Sequence, residues 1–357
     1  MGKQAYVHLE DGTILEGSAF GHHSDTQGEV VFSTGMTGYP QSLTDPSFAG
    51  QILTFTYPLM GNFGVPTPKI LQPHLMQNLE SERIWVRGVI VATHSTNPSH
   101  YESAHTLDQW LKKEKISGIS GIDTRALTLK LREKGVMRGV ISRSAKKIDW
   151  NKIEIPTTIK DVSIKSVQTY KPKTASKKTI LLLDCGVKRG IIRALLKRNY
   201  TVIRIPHDYD LTKVKQNWDG VLISNGPGDP KDWTEAIATV KYLLHQPKPI
   251  IGVCLGHQLL SLAIGADTYK LPYGHRGINQ PCQDLYTKKA YITSQNHGYA
   301  VKKDTLPNEF QEWFVNLNDG TNEGMRHKTK KIMSTQFHPE GNPGPFDTEW
   351  IFDLFNS

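Results

Sequence analysis

Apolar residues follow two rhythms along this chain, and the change falls near residue 179. Before it, short β-branched and aromatic runs are bounded by Gly and Pro. EVVFS (29–33), QILTFTY (51–57) and RIWVRGVIVAT (83–93) each predict a strand. AYVHLEDGTILEG predicts two strands around a tight Asp11-Gly12 turn. Thr106 is placed to cap a helix TLDQWLKKEK, and Asp123 a helix TRALTLKLREK that Gly135 ends. Strand and helix do not alternate regularly, so residues 1–150 read as a mixed α+β domain.

After residue 179 they do alternate. TILLLD (179–184) is the near-continuous apolar run of a parallel strand buried on both faces. VKRGIIRALLKRN follows at helical spacing, then strands TVIRIP and GVLIS, a helix over Trp233–His245, a strand PIIGVC and a helix HQLLSLAIG. Residues from about 268 to 337 turn strand-rich, and DTEWIFDLF closes the chain as a short helix. This predicts an α/β domain over 179–357 with an open, mostly parallel sheet. Between the halves, 151–178 is poor in apolar residues and rich in Lys, Thr and Ser. It reads as a linker with room for one short strand.

Composition narrows the class. A chain of 357 residues accommodates two cores. With 38% hydrophobic and 22% charged residues it is an ordinary globular protein. No apolar run approaches membrane-spanning length, MGKQAYVHLEDG has no signal-peptide core, and Tyr6 stands where a myristoylation motif needs Ser or Thr. Cys185, Cys254 and Cys282 are too few and scattered for a disulfide framework or a CxxC metal site, and His22-His23 has no third ligand nearby. A cytoplasmic protein with no metal site is expected. The net charge of +9 is spread out, with a modest lysine cluster over 146–178 and no RNA- or DNA-binding motif. It reads as a solvated surface, with no nucleic-acid or membrane partner.

Chemistry concentrates at the carboxyl ends of the later strands. GVCLG (252–256) fits the pattern of a nucleophile elbow, a strand-to-helix turn so sharp that its flanks admit only glycine. There the helix dipole and free N–H groups favour a thiolate on Cys254, and the Leu255 N–H is placed to stabilise an oxyanion. Gln-Phe-His-Pro-Glu (336–340) offers a base: Pro339 favours an extended His338, and in an extended segment Glu340 shares its face and can orient the imidazole. The bare backbone of Gly226-Pro227-Gly228 can present N–H groups to a substrate. No Walker motif and no GxGxxG occurs, so a nucleotide is not bound through those devices.

GVCLGHQ, SNGPGDP (224–230), SQNHGYAV (294–301) and QFHPE resemble the signatures of class I, triad-type glutamine amidotransferases. TGMTGYPQSLTDPSFAGQILTFTYPLMGNFG (34–64) and GISGIDTRALTLKLREKGVMRGVI (118–141) are similar to the small-subunit family of carbamoyl phosphate synthetases, and the likeness runs essentially the whole chain. It implies a class I glutamine amidotransferase fold over 179–357 and a small-subunit domain over 1–150 that contacts the partner. The implied reaction is hydrolysis of glutamine through a γ-glutamyl thioester, with ammonia delivered to a large, ATP-using subunit for arginine or pyrimidine biosynthesis. ATP and a divalent cation would bind that partner, with no cofactor in this chain. By the same resemblance Cys254 is the nucleophile, His338 the base and acid, and Glu340 its orienter. Ser47, Gly226, Gly228, Leu255, Gln258, Asn296, Gly298 and Tyr299 would contact glutamine, with Ser47 reaching in from the other domain. Tyr299 stands where many relatives have Phe, and VPTPKI (65–70) departs from the family's Gly-x-Asn ending. Cys185, Cys282 and His257 read as structural, while His297 is open between a structural and a site role. A non-catalytic scaffold and a cysteine peptidase are the competing classes.

Overall fold

The computed structural model describes residues 3–154 and 159–356. The chain divides into two compact units, Met1–Thr157 and Thr158–Ser357.

The first unit is built on a closed seven-stranded barrel. Gln4–Leu9 and Ile14–Gly21 form the hairpin at Asp11-Gly12, where Gly12 takes a left-handed φ of 87°. Thr26–Ser33, Gln51–Phe55, Gly88–Ile90 and Ser117–Ser120 run parallel in succession. Met137–Ser142 closes the ring by pairing antiparallel with both Gln4–Leu9 and Thr26–Ser33. Consecutive residues such as Val30-Val31, Ile52-Leu53 and Val89-Ile90 are all buried, because these strands are covered on both faces. The helices Leu107–Lys113 and Thr124–Lys134 start at Thr106 and Asp123 as their sequences predict, each side chain accepting a backbone N–H.

The second unit carries a ten-stranded sheet. Five strands are parallel: Tyr200–Pro206, Lys178–Asp184, Gly220–Ile223, Ile250–Val253 and Ile332–Thr335, side by side in that order. The other half is antiparallel, running through Asn322–His327 and Phe310–Asn316 to the long hairpin of Thr268–Asp284 and Ala290–Val301. The expected mostly parallel sheet is therefore mixed. The strands between residues 268 and 327 are joined without crossover helices, so each pairs antiparallel with its neighbours. The expected linker 151–178 contains the one short strand it had room for. Residues 155–158 lie outside the described set, and Gln168–Tyr170 forms an antiparallel edge strand on Tyr200–Pro206. Of its three residues Tyr170 alone is buried. The closing segment Glu349–Phe355 is a 3₁₀ helix whose Ile351, Phe352 and Phe355 are buried. Among the described residues no helix is long and apolar enough to cross a membrane.

Candidate active site

Strand Ile250–Val253 turns into helix Leu255–Ala263 at a single residue, Cys254. Its φ of 55° and ψ of −105° are strained for a non-glycine residue, at a cost of roughly 1–3 kcal/mol. Its N–H donates to the Thr335 carbonyl at 2.8 Å, tying the elbow to the neighbouring strand. The flanking glycines are sterically required. A Cβ on Gly252 would stand 2.6 Å from the Gly256 carbonyl oxygen, and one on Gly256 would stand 2.1 Å from that of Ile223. Tight packing thus forces the strain that aims the sulfur out of the turn.

His338 lies three residues past the last parallel strand rather than on it. Pro339 cannot donate to a ladder, so pairing shrinks to one bridge, in which the His338 N–H donates to the Ser294 carbonyl at 2.9 Å. The chain then turns, and the Gly341 N–H closes back on the His338 carbonyl. Within that turn the His338 Nδ1 donates to Glu340 Oε1 at 2.7 Å, so a turn rather than extended chain brings the pair together. On the other side of the ring, Nε2 has no hydrogen-bond partner among the described residues, and the Cys254 sulfur is close enough to act on its charge. Burial works against a charged His338, but the Glu340 carboxylate outweighs it. Despite Lys188 and with help from Cys254, the imidazole rises to about 10. Burial would raise Glu340, yet Lys188 and His338 hold it down at about 2.

The cation that permits this is Lys188, which the sequence reading passed over. Its buried ammonium lies 3.0 Å from Glu340 Oε1 and donates to the Gly341 carbonyl at 2.6 Å. Lys188 sits at the start of helix Arg189–Lys197, in the loop after strand Lys178–Asp184. Asp184 accepts the N–H groups of Gly186 and Val187, and Asn225 accepts that of Lys188. A lysine beside a strand-end carboxylate was the only signal available in the sequence.

The predicted substrate residues fall into three groups. Leu255, Gln258, Asn296 and Tyr299 gather at the elbow. The Cys254 thiol lies 3.6 Å from the Asn296 carbonyl, and Gln258 Nε2 donates to the Tyr299 carbonyl at 2.9 Å and to Gln336. Gly298 lies on the same strand, with a Cβ there 3.3 Å from the Arg276 guanidinium. Gly226 packs against the elbow helix, since a Cβ there would meet the Cys185 carbonyl at 2.0 Å and the Leu255 side chain at 2.7 Å. Gly228 takes a left-handed φ of 85° in the same loop. Ser47 belongs to the first unit, buried on the 3₁₀ turn Pro46–Phe48, with its N–H donated to Asp45.

Comparison with known proteins places the chain in a family. A family model described as glutamine amidotransferase class-I matches residues 181–357, and one described as the carbamoyl-phosphate synthase small chain, CPSase domain, matches residues 7–141. The chain is 46% identical to the carbamoyl phosphate synthase small chain of Pyrococcus furiosus, over 99% of its own length and 97% of the relative's. The chain belongs to the carbamoyl phosphate synthase small chain family. The arginine-specific small chain of Neurospora crassa is also 46% identical, over 99% of this chain and 79% of the relative. The multifunctional protein CAD of Squalus acanthias is 45% identical, over 98% of this chain but only 16% of that much longer protein.

Family membership leaves the other thiols and histidines to the structure. Cys185 and Cys282 are buried, and burial pushes both thiols up, away from the reactive thiolate. His257 is buried beneath the elbow with Nδ1 on the Ser334 hydroxyl at 2.8 Å, and burial lowers it to about 3, a neutral packing residue. His297 turns Nδ1 to the Tyr299 carbonyl at 2.8 Å, so it shapes the strand that carries Asn296 and Tyr299.

Proposed function

We propose that this chain hydrolyses glutamine at Cys254 and passes the ammonia to a large synthetase subunit that makes carbamoyl phosphate. One observation carries the reading: a strained, buried cysteine at a helix N-terminus beside an imidazole whose other nitrogen is held by a carboxylate. A non-catalytic scaffold would have no use for that strain.

His338 takes the Cys254 proton, and the sulfur attacks the side-chain amide carbon of glutamine. The negative oxygen that forms is stabilised by the Leu255 N–H at the start of the helix and by an N–H of the Gly226–Gly228 loop. The imidazolium gives its proton to the leaving nitrogen, ammonia departs, and a γ-glutamyl thioester remains. Water, deprotonated by the same imidazole, releases glutamate and restores the thiol. Glu340 keeps the tautomer correct throughout, and Lys188 keeps Glu340 ionised. The backbone around Asn296, Gly298 and Tyr299, together with Gln258, would hold the glutamine.

This chemistry needs only thiol and imidazole, so we assign no cofactor to it; ATP and its divalent cation would bind the large subunit. Free thiols at Cys185, Cys254 and Cys282 suit a reducing, cytoplasmic setting. The relatives' names include arginine-specific small chains and longer multifunctional proteins, and either pathway is open to this one. In the complex, Cys254→Ser is expected to abolish glutamine-dependent synthesis and leave ammonia-dependent synthesis intact. Continued use of glutamine by that variant would overturn the assignment. Hydrolysis of peptides but not of free glutamine, with the partner present, would point to a peptidase.

A further inference from the structure

The antiparallel half of the second unit's sheet buries a second group of ionisable side chains that glutamine hydrolysis does not use. His275, His297 and Glu323 come from three different strands, and their ligand atoms all lie within 4.8 Å of one another. None is more than 7% exposed, which leaves no bulk water to compensate their charges.

The hydrogen bonds around the cluster fix where the lone pairs are. His275 Nε2 donates to the Asp319 carboxylate at 2.8 Å, and His297 Nδ1 donates to the Tyr299 carbonyl at 2.8 Å. Carboxylate and carbonyl oxygens only accept, so in the neutral rings His275 Nδ1 and His297 Nε2 carry lone pairs. Both face the same atom, Glu323 Oε1, at 3.4 Å and 3.8 Å. A further acceptor, Gln295 Oε1, lies 3.2 Å from His297 Nε2. Its orientation is set, because the Gln295 amide nitrogen donates to Cys282 Sγ and Thr293 Oγ1.

Two groups bring protons to the cluster: the Thr321 hydroxyl, 2.7 Å from Asp319 Oδ1 and 3.5 Å from Glu323 Oε1, and the Asn316 amide. Asn316 Nδ2 stands 3.3 Å from Glu323 Oε1 and 3.5 Å from His275 Nδ1, and its oxygen is occupied by the Asn318 N–H. Two amide protons can serve those two atoms. They leave His297 Nε2 facing two acceptors, and Glu323 Oε2 buried with no hydrogen-bond partner. Converging lone pairs without protons call for a cation.

We propose that His275, His297 and Glu323 bind a divalent transition-metal ion, with Gln295 Oε1 as a fourth donor. Two imidazoles and a carboxylate suit zinc or its neighbours, and ligands about 2.1 Å from a tetrahedral ion stand about 3.4 Å apart. Each imidazole also donates its outer N–H to a carboxylate or carbonyl, as metal-bound histidines do. The ion plays no part in the thiol chemistry. It holds Tyr299 through His297, and so fixes the strand beside Cys254.

Zinc is the probe. The full chain, stripped with a chelator and dialysed, is titrated with zinc against a chromophoric chelator while its melting temperature is followed. Stoichiometric binding and a raised melting temperature are expected, with binding unchanged in Cys254→Ser, which removes the other thiol–imidazole pair. His275→Ala and Glu323→Gln should lose the site. Asp319→Asn, at the partly exposed edge, should keep the fold and weaken zinc by about 10–100-fold. No zinc binding by the wild-type chain would mean that a proton on one imidazole balances the cluster, and would overturn the proposal. So would binding that survives both ligand substitutions or vanishes with Cys254→Ser. These readouts are independent of glutaminase activity.

Discussion

The second unit contains two buried histidine–carboxylate groupings with opposite balances of charge. At His338 a single carboxylate is matched by a buried ammonium, Lys188, and the free ring nitrogen faces sulfur. At His275 two carboxylates, Asp319 and Glu323, flank the ring and a second imidazole, His297, stands edge-on at 4.8 Å, with the Arg276 charge acting on His297. The first arrangement has one vacancy and it is reactive. The second has several and calls for an ion. Burial alone does not make a histidine catalytic; what faces its last nitrogen decides.

The largest effect that would sharpen this contrast is on turnover. His338→Asn should cut glutamine hydrolysis by about 10²–10⁴-fold, the usual contribution of a positioned base. Steady-state assays should find kcat lowered far more than KM is raised; a loss confined to KM would make His338 a binding residue. Next comes Lys188→Met, which leaves the buried Glu340 carboxylate with His338 as its remaining side-chain partner, at a cost of up to about 3–5 kcal/mol. Its melting temperature should fall steeply, and Lys188→Arg should recover part of the loss. An unchanged melting temperature would show that Glu340 needs no cation. Gly256→Ala forces a Cβ against the Ile223 carbonyl and should cost about 1–3 kcal/mol, with hydrolysis impaired in whatever remains folded.

The smallest effect is the pH dependence. His338 is raised in the folded protein, so its contribution is fully present below 6.5 and is lost as pH climbs through about 10. Glu340 is lowered, so its contribution is present above 4.5 and is lost as pH falls through about 2. The gap in melting temperature between the wild-type chain and His338→Asn should therefore narrow from pH 6.5 toward pH 10. A gap that widens over that range would reverse the assigned direction.

Local geometry explains what was legible. The elbow could be read from GVCLG because five consecutive residues contain both the sharp turn and its steric reason. His338 and Glu340 could be read because they are two apart, although the conformation joining them is a turn. Lys188 could not, since a lysine after a strand looks like surface charge until Glu340 arrives from a distant loop. The barrel was equally hidden. Its closure depends on Met137–Ser142 finding Gln4–Leu9, a pairing that no local pattern encodes. The same holds for His275, His297 and Glu323, which only the register of four strands brings together, Phe310–Asn316 standing between theirs.

Because Lys188, Cys254 and His338 sit at three different strand ends, the order of synthesis sets the order in which the thiol becomes dangerous. Cys254 leaves the ribosome 84 residues before His338 (338 − 254). Throughout that interval the nascent chain carries a cysteine without its base. The nucleophile is armed only when the last parallel strand has docked and Pro339 has turned the chain toward Lys188. A half-made chain is thereby spared a reactive sulfur, and so are the glutamine pools around it.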